Sequence, residues 1–243
     1  MNNVLTNFFE NKNLKIPIWF LRQAGRHIPE YFTIRKQANN FIDFCLNSKL
    51  IVESTKLPLK YYDLDAAIVF SDILMIPWAM NRKVRFVQGI GPQLLPMIPD
   101  ETKILKNINI FEKLEPLKVS ISILKKELPQ SKSLIGFAGA PWTLACYMIE
   151  GQGSKDFINI RKALWNSNKW LMELLETLSF YVADKLELQA NAGADVLMLF
   201  DSWSHMIPSN FFHECAIDPT ARIINILRSK NIFKPIIGFP FKA

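Results

Sequence analysis

Apolar positions along the chain fall into two alternating kinds of stretch. Five are short and apolar throughout: Ile16–Leu21, Ala66–Phe70, Leu134–Ala138, Val196–Phe200 and Pro235–Phe239. A strand with one solvated face alternates apolar and polar residues. Runs without that alternation predict strands buried on both faces. Longer segments at helical spacing lie between them. Leu171, Leu174, Leu175, Leu178 and Val182 form one stripe, with Lys169, Glu173 and Glu176 off it. Ile223, Ile224 and Leu227 repeat the pattern before the fifth run, with Pro219 ahead of them and Asp218 as the expected cap. Phe41–Ser54 and Phe111–Leu128 are two further helical segments. The connections between the first three runs are long enough to hold additional elements.

Repeated strand-then-helix units with buried strands predict an α/β fold. A (β/α)₈ barrel and an open doubly wound sheet both fit. No GxGxxG follows the first run and no GxxxxGK[ST] occurs, so neither nucleotide-binding version gains support. The fifth run is followed only by Pro240–Ala243. If the fold is a barrel, residues 1–243 form a single incomplete domain with about five of its eight β/α units.

Composition narrows the class. Of 243 residues, 49% are hydrophobic and 12% aromatic, which suffices for one large core. The opening MNNVLTNFFENKN lacks the basic start and apolar stretch of a signal peptide. No apolar run approaches the roughly 18 residues of a membrane helix, so no membrane span is expected. Cys45, Cys146 and Cys215 are an odd set without a CxxC pair, which fits a reducing, cytoplasmic setting. The formal charge of +7 is scattered. Such scatter fits either a solvated surface or a field that steers an anionic partner, and without a basic run interleaved with aromatics or a zinc-finger spacing nucleic acid gains no support.

Working groups in α/β folds stand at the carboxyl ends of the strands. After the first run comes Arg22-Gln23-Ala24-Gly25-Arg26. Arginines four apart share a helical face, and guanidinium forks grip carboxylates at two points. The plainer alternative is a surface pair balanced by Glu30 or another acid. After the second run, Asp72 is either a helix cap or a carboxylate held in an apolar mouth. Gly139-Ala140-Pro141-Trp142-Thr143 predicts a tight turn into a helix carrying Cys146, a small buried filler, and Tyr147. After the fourth run, Asp201-Ser202-Trp203-Ser204-His205 superficially suggests a catalytic triad. Residues this close rarely meet in that geometry, and no GxSxG elbow is present. His213 and Cys215 diverge if helical and lack further ligands at metal spacing, so packing is the better reading. Such a mouth suits a large, flat, carboxylate-bearing ligand.

Four segments, in order, resemble the uroporphyrinogen decarboxylase family. They are Pro17–Tyr31, Ala66–Leu74, Gly136–Leu144 continuing to Tyr147 and Glu150-Gly151, and Phe200–Trp203. The resemblance implies a (β/α)₈ barrel, a cytoplasmic homodimer and no metal or organic cofactor. It implies conversion of the four acetate arms of uroporphyrinogen, a tetrapyrrole, to methyls, giving coproporphyrinogen. Carried over, Arg22 and Arg26 bind substrate carboxylates with backbone from Gln23, Ala24 and Gly25. Asp72 faces the pyrrole N–H groups, and Tyr147 and Ser202 contact substrate. Two departures stand out. Ser204-His205 replaces a small Ala-Gly, and none of His27, His205 or His213 matches a functional histidine that the longer family chains carry near their C-terminus. A chain of this extent is therefore expected to be inactive and poorly soluble alone. Two alternatives are a zinc- and cobalamin-dependent methyltransferase of the same fold family and a decayed, non-catalytic fragment.

Overall fold

A computed structural model describes residues 3–10, 15–21, 24–166 and 168–242. Helix α1 (Val4–Phe9) is capped by Asn3, whose side chain accepts from the Thr6 N–H. Helix α2 (Pro29–Arg35) opens on proline, where a missing N–H costs nothing. The predicted segment Phe41–Ser54 is two helices, α3 (Phe41–Leu46) and α4 (Ser48–Lys56). Asn47 ends the first in extended backbone, and its side chain caps the second by accepting from the Leu50 N–H. Strand β1 (Ala66–Ile68), helix α5 (Met75–Ala79) and an antiparallel hairpin of β2 (Val84–Val87) and β3 (Gly91–Leu94) follow. Next come α6 (Glu115–Glu127), β4 (Ser133–Gly139), α7 (Pro141–Glu150), α8 (Ile158–Asn166), α9 (Asn168–Ala192), β5 (Val196–Asp201), α10 (Asp218–Ser229) and β6 (Ile236–Pro240). The two amphipathic stripes read from sequence are α9 and α10.

The main sheet runs β1-β4-β5-β6, and every pair is parallel. Each later strand joins the same edge. A doubly wound sheet reverses at a switch point, and this one does not. The helices agree: α4 packs on α6, α6 on α9 and α9 on α10, forming one continuous layer. The winding is that of a barrel wall. Strand β4 is buried at every position, as an apolar run with neighbours on both faces must be.

Two expectations need correction. Ile16–Leu21 is extended but not a strand. Its Ile18 N–H donates to Asp65 Oδ2 at 2.9 Å, and the Ile18 carbonyl accepts from the Asp65 N–H at 2.8 Å. Ile16 is 73% and Ile18 56% exposed. Held at one residue of its neighbour, the segment gains no ladder, and only Trp19 of its side chains packs against the core while Ile16, Ile18, Phe20 and Leu21 stay exposed. Asp218 is not a cap either. A π-helical turn, His213–Ile217, feeds straight into α10, so the helical backbone has no break there to cap. The Asp218 carboxylate instead meets His213 Nδ1 at 3.1 Å.

Candidate active site

Three chain segments that leave the sheet at its carboxyl edge form the candidate site. The first follows β1. The Phe70 N–H donates to Thr55 Oγ1 at 2.9 Å, and the Phe70 ring packs among Tyr31, Phe41 and Phe44. Asp72 comes next. Its Oδ1 accepts from the Leu74 N–H at 2.8 Å, which fixes the turn into α5. Asp72 does not cap α5, whose N-cap is Leu74 without a side-chain bond; its oxygen serves the turn ahead of the helix, and the residue keeps part of its surface accessible. Burial pushes the Asp72 carboxyl above its ordinary range, and the Leu74 N–H and the Lys185 charge act against that rise.

Sequence reasoning missed Lys185. It is fully buried on α9, and its Nζ donates to the Asp72 carbonyl at 3.1 Å. The ammonium also lies 5.3 Å from the centre of the Phe137 ring. Burial brings this amine down to about 8, with Asp72 opposing the fall. The signal is present in the helical spacing. Position 185 continues the stripe through Leu178 and Val182, so a lysine stands where the pattern calls for an apolar residue. Gln189, one turn on, is also fully buried and was also missed. It donates to the Phe137 carbonyl and accepts from the Phe137 N–H, both at 2.9 Å. The β1–β4 register ends at Ile68 opposite Ile135. Beyond that point α9 takes the place of a strand neighbour with a side-chain amide.

The second segment follows β4. Gly139 leads to Ala140, and α7 starts at Pro141, as the turn residues predict. A Cβ at Gly139 would lie 2.9 Å from the Ile73 Cβ, so this close approach of the first two segments needs glycine. Tyr147 on α7 packs edge-on against Trp203, with ring centres 6.1 Å apart. Cys146 is buried as expected, and burial holds its thiol well above the ordinary range.

The third segment follows β5. Asp201 is 6% exposed and accepts from the Thr143 hydroxyl at 2.6 Å. Thr143 Oγ1 accepts in turn from the Trp203 N–H at 3.1 Å, and Trp142 Nε1 donates to the Trp203 carbonyl at 3.0 Å. These bonds fasten β5 to the start of α7. Burial raises the Asp201 carboxyl to about 6 against the pull of the Thr143 bonds. Ser204 donates to the carbonyls of Asp201 and Phe241, and the His205 ring lies beside Trp203 and Phe241, so no triad forms. Ser202, between Asp201 and Trp203, sits at this edge and is partly exposed.

Of the remaining predicted site residues, Arg22 and Gln23 lie outside the described residues. Ala24, Gly25 and Arg26 form the loop before α2, where the Gly25 carbonyl accepts from the Ile28 N–H at 3.1 Å. Arg26 is exposed. Its charge reaches Tyr31, whose ring lies 6.0 Å from that of Phe70, so the loop borders the same end of β1 as Asp72. His213 and Cys215 point apart. His213 pairs with Asp218 at the surface, while Cys215 is buried with its thiol pushed up to about 12. Among the described residues no three His, Cys, Asp or Glu side chains cluster in a way that could hold a metal ion. Among them, too, no helix is long and apolar enough to cross a membrane.

Comparison with known proteins adds a second line of observation. The family model for uroporphyrinogen decarboxylase (URO-D) matches residues 2–243. A uroporphyrinogen decarboxylase of Rickettsia conorii is 45% identical over 97% of this chain and 68% of its own length. One of Maricaulis maris is 43% identical over 92% of this chain and 65% of its own length. The chain thus spans about two thirds of the length of these relatives. A solved methyltransferase from Methanosarcina mazei superimposes with a TM-score of 0.73 over 96% of this chain and 67% of its own. Its identity is 12%, so the likeness is one of fold.

Proposed function

Because the chain belongs to the uroporphyrinogen decarboxylase family, we propose that it is a carboxy-lyase that converts the four acetate arms of uroporphyrinogen to methyls, giving coproporphyrinogen. The observation that carries this reading is Asp72, a carboxylate in apolar surroundings at the carboxyl end of a parallel strand. Loss of CO₂ from an acetate leaves an electron pair that needs a sink. Protonation of the ring carbon bearing the arm makes the pyrrole an iminium-like cation. The bond to the carboxylate then breaks, and its pair enters the ring system as CO₂ departs. A proton delivered to the arm completes the methyl, and loss of the ring-carbon proton restores the pyrrole. Each arm thus exchanges CO₂ for one proton, and the substrate supplies its own sink.

A fixed carboxylate beside the ring N–H groups stabilises this cation more in a water-poor cleft than in bulk. We assign that role to Asp72. Arg22 and Arg26 grip acidic arms, with the backbone of Gln23, Ala24 and Gly25 assisting, and Tyr147 and Ser202 contact substrate. Arginine is a reluctant acid, so the proton donor is left unassigned. Residues 1–243 belong to one barrel domain, incomplete at this extent, and at its relatives' length the protein is homodimeric and cytoplasmic.

The test has two arms. Binding of uroporphyrinogen under anaerobic conditions is measured on the 243-residue chain. Turnover is measured on the same sequence extended with the last third of the Rickettsia conorii relative, by chromatography of products with fewer carboxylates. Binding and stepwise decarboxylation are expected. Asp72→Asn should retain the fold and lose roughly 10²–10³-fold in kcat, the scale of one preorganised electrostatic contact. Full turnover by that variant removes the assigned role.

A further inference from the structure

Among the described residues, Lys185 is the one charged side chain buried completely at the carboxyl edge of the sheet. A buried ammonium is costly unless a fixed partner compensates. No carboxylate of the described residues stands within ion-pair distance of it; what it has is the Asp72 carbonyl at 3.1 Å and the face of Phe137 at 5.3 Å. It reaches them through the opening where β1 parts from β4, one turn before the Gln189 amide that closes the lower part of that opening. Lys185 therefore spans from the helix layer to the segment that carries Asp72. We propose that Lys185 is a positioning residue for Asp72: it anchors the Asp72 backbone from behind and supplies the positive charge that keeps the neighbouring carboxylate ionised.

The chemistry of the site gives this arrangement a purpose. Asp72 can shelter a cationic ring only as an anion, while its apolar surroundings favour the neutral acid. A cation behind it offsets that preference without standing between carboxylate and substrate. The groups whose charges act on Lys185 are Asp72 and the buried Cys45 of α3, and Arg35 of α2 acts on Cys45 in turn. Cys45 is held neutral by burial, which leaves Asp72 as the anion that Lys185 faces.

The inference rests on the role given to Asp72, but the coupling can be measured without substrate. In the 243-residue chain, the Asp72 carboxyl and Lys185 ε-carbon are followed by ¹³C NMR titration. Lys185→Met should move the Asp72 midpoint up, and Asp72→Asn should move the Lys185 midpoint down. Lys185→Arg, which keeps the charge, should leave the Asp72 midpoint closer to its original value than Met does. Should Lys185→Met fail to fold, the Asp72→Asn titration still decides the matter. Unmoved midpoints in folded variants overturn the proposal, since a lysine that merely filled space would give that result. Coupling without decarboxylation by the extended protein would sink the function and spare the pair. Decarboxylation without coupling would do the reverse.

Discussion

A carboxylate that leaves water is either compensated or titrates upward, and Asp201 shows the second outcome. It accepts from Thr143, yet burial prevails and its carboxyl stands at about 6. In the unfolded chain the same group ionises near pH 3.9. Between these values the native state binds the extra proton, so stability falls as pH rises. The contribution is fully present below about pH 4 and is lost as pH passes through about 6, a change on the order of 3 kcal/mol. Other carboxylates titrate in the same range, so Asp201→Asn is the reference. Urea unfolding at pH 4 and pH 7 should show the native chain losing stability relative to the Asp201→Asn variant as pH rises. A constant difference would mean that Asp201 titrates normally.

Among the elements, α9 carries the most responsibility. Its apolar stripe buries Leu171, Leu174, Leu175, Leu178 and Val182, and the same stripe then delivers Lys185 and Gln189 to the sheet. Gln189 sits so close that a Cβ at Gly136 would lie 2.9 Å from its Oε1. Replacing Gln189 with Leu leaves the buried N–H and carbonyl of Phe137 without partners. That should cost roughly 2–6 kcal/mol, the sum of two unsatisfied groups. The midpoint of urea unfolding reads it directly, and a shift below about 1 kcal/mol, the scale of one ordinary hydrogen bond, would show that the amide is dispensable.

The whole molecule is a curved wall with two edges, β1 and β6, among the described residues. Strand edges and apolar surface both invite association. Here Ile16 is 73% and Phe233 71% exposed, and Ile236 and Ile237 of β6 are only partly covered. Sedimentation velocity on the 243-residue chain should therefore show species that grow with concentration and do not stop at a dimer. A single species at all concentrations would show that these edges are protected.

Much of this molecule is legible in its residue pattern alone. Unbroken apolar runs mark β1, β4 and β5 because a strand with neighbours on both faces has no position for a polar residue; the fifth run also forms a strand, β6, but none of its positions is buried. Helical stripes mark α9 and α10 for the matching reason, and four motif segments point to the family. The spacing by itself leaves barrel and doubly wound sheet equal, because strand order is a relation between segments far apart in the chain. Ile16–Leu21 reads as buried as the others, and only the tertiary structure shows that it lacks a ladder and leaves Ile16, Ile18, Phe20 and Leu21 exposed. Lys185 and Gln189 read as polar breaks in a stripe. Their use emerges only where the sheet opens between β1 and β4, since what a buried polar group can do depends on which partner the tertiary fold sets within about 3 Å of it.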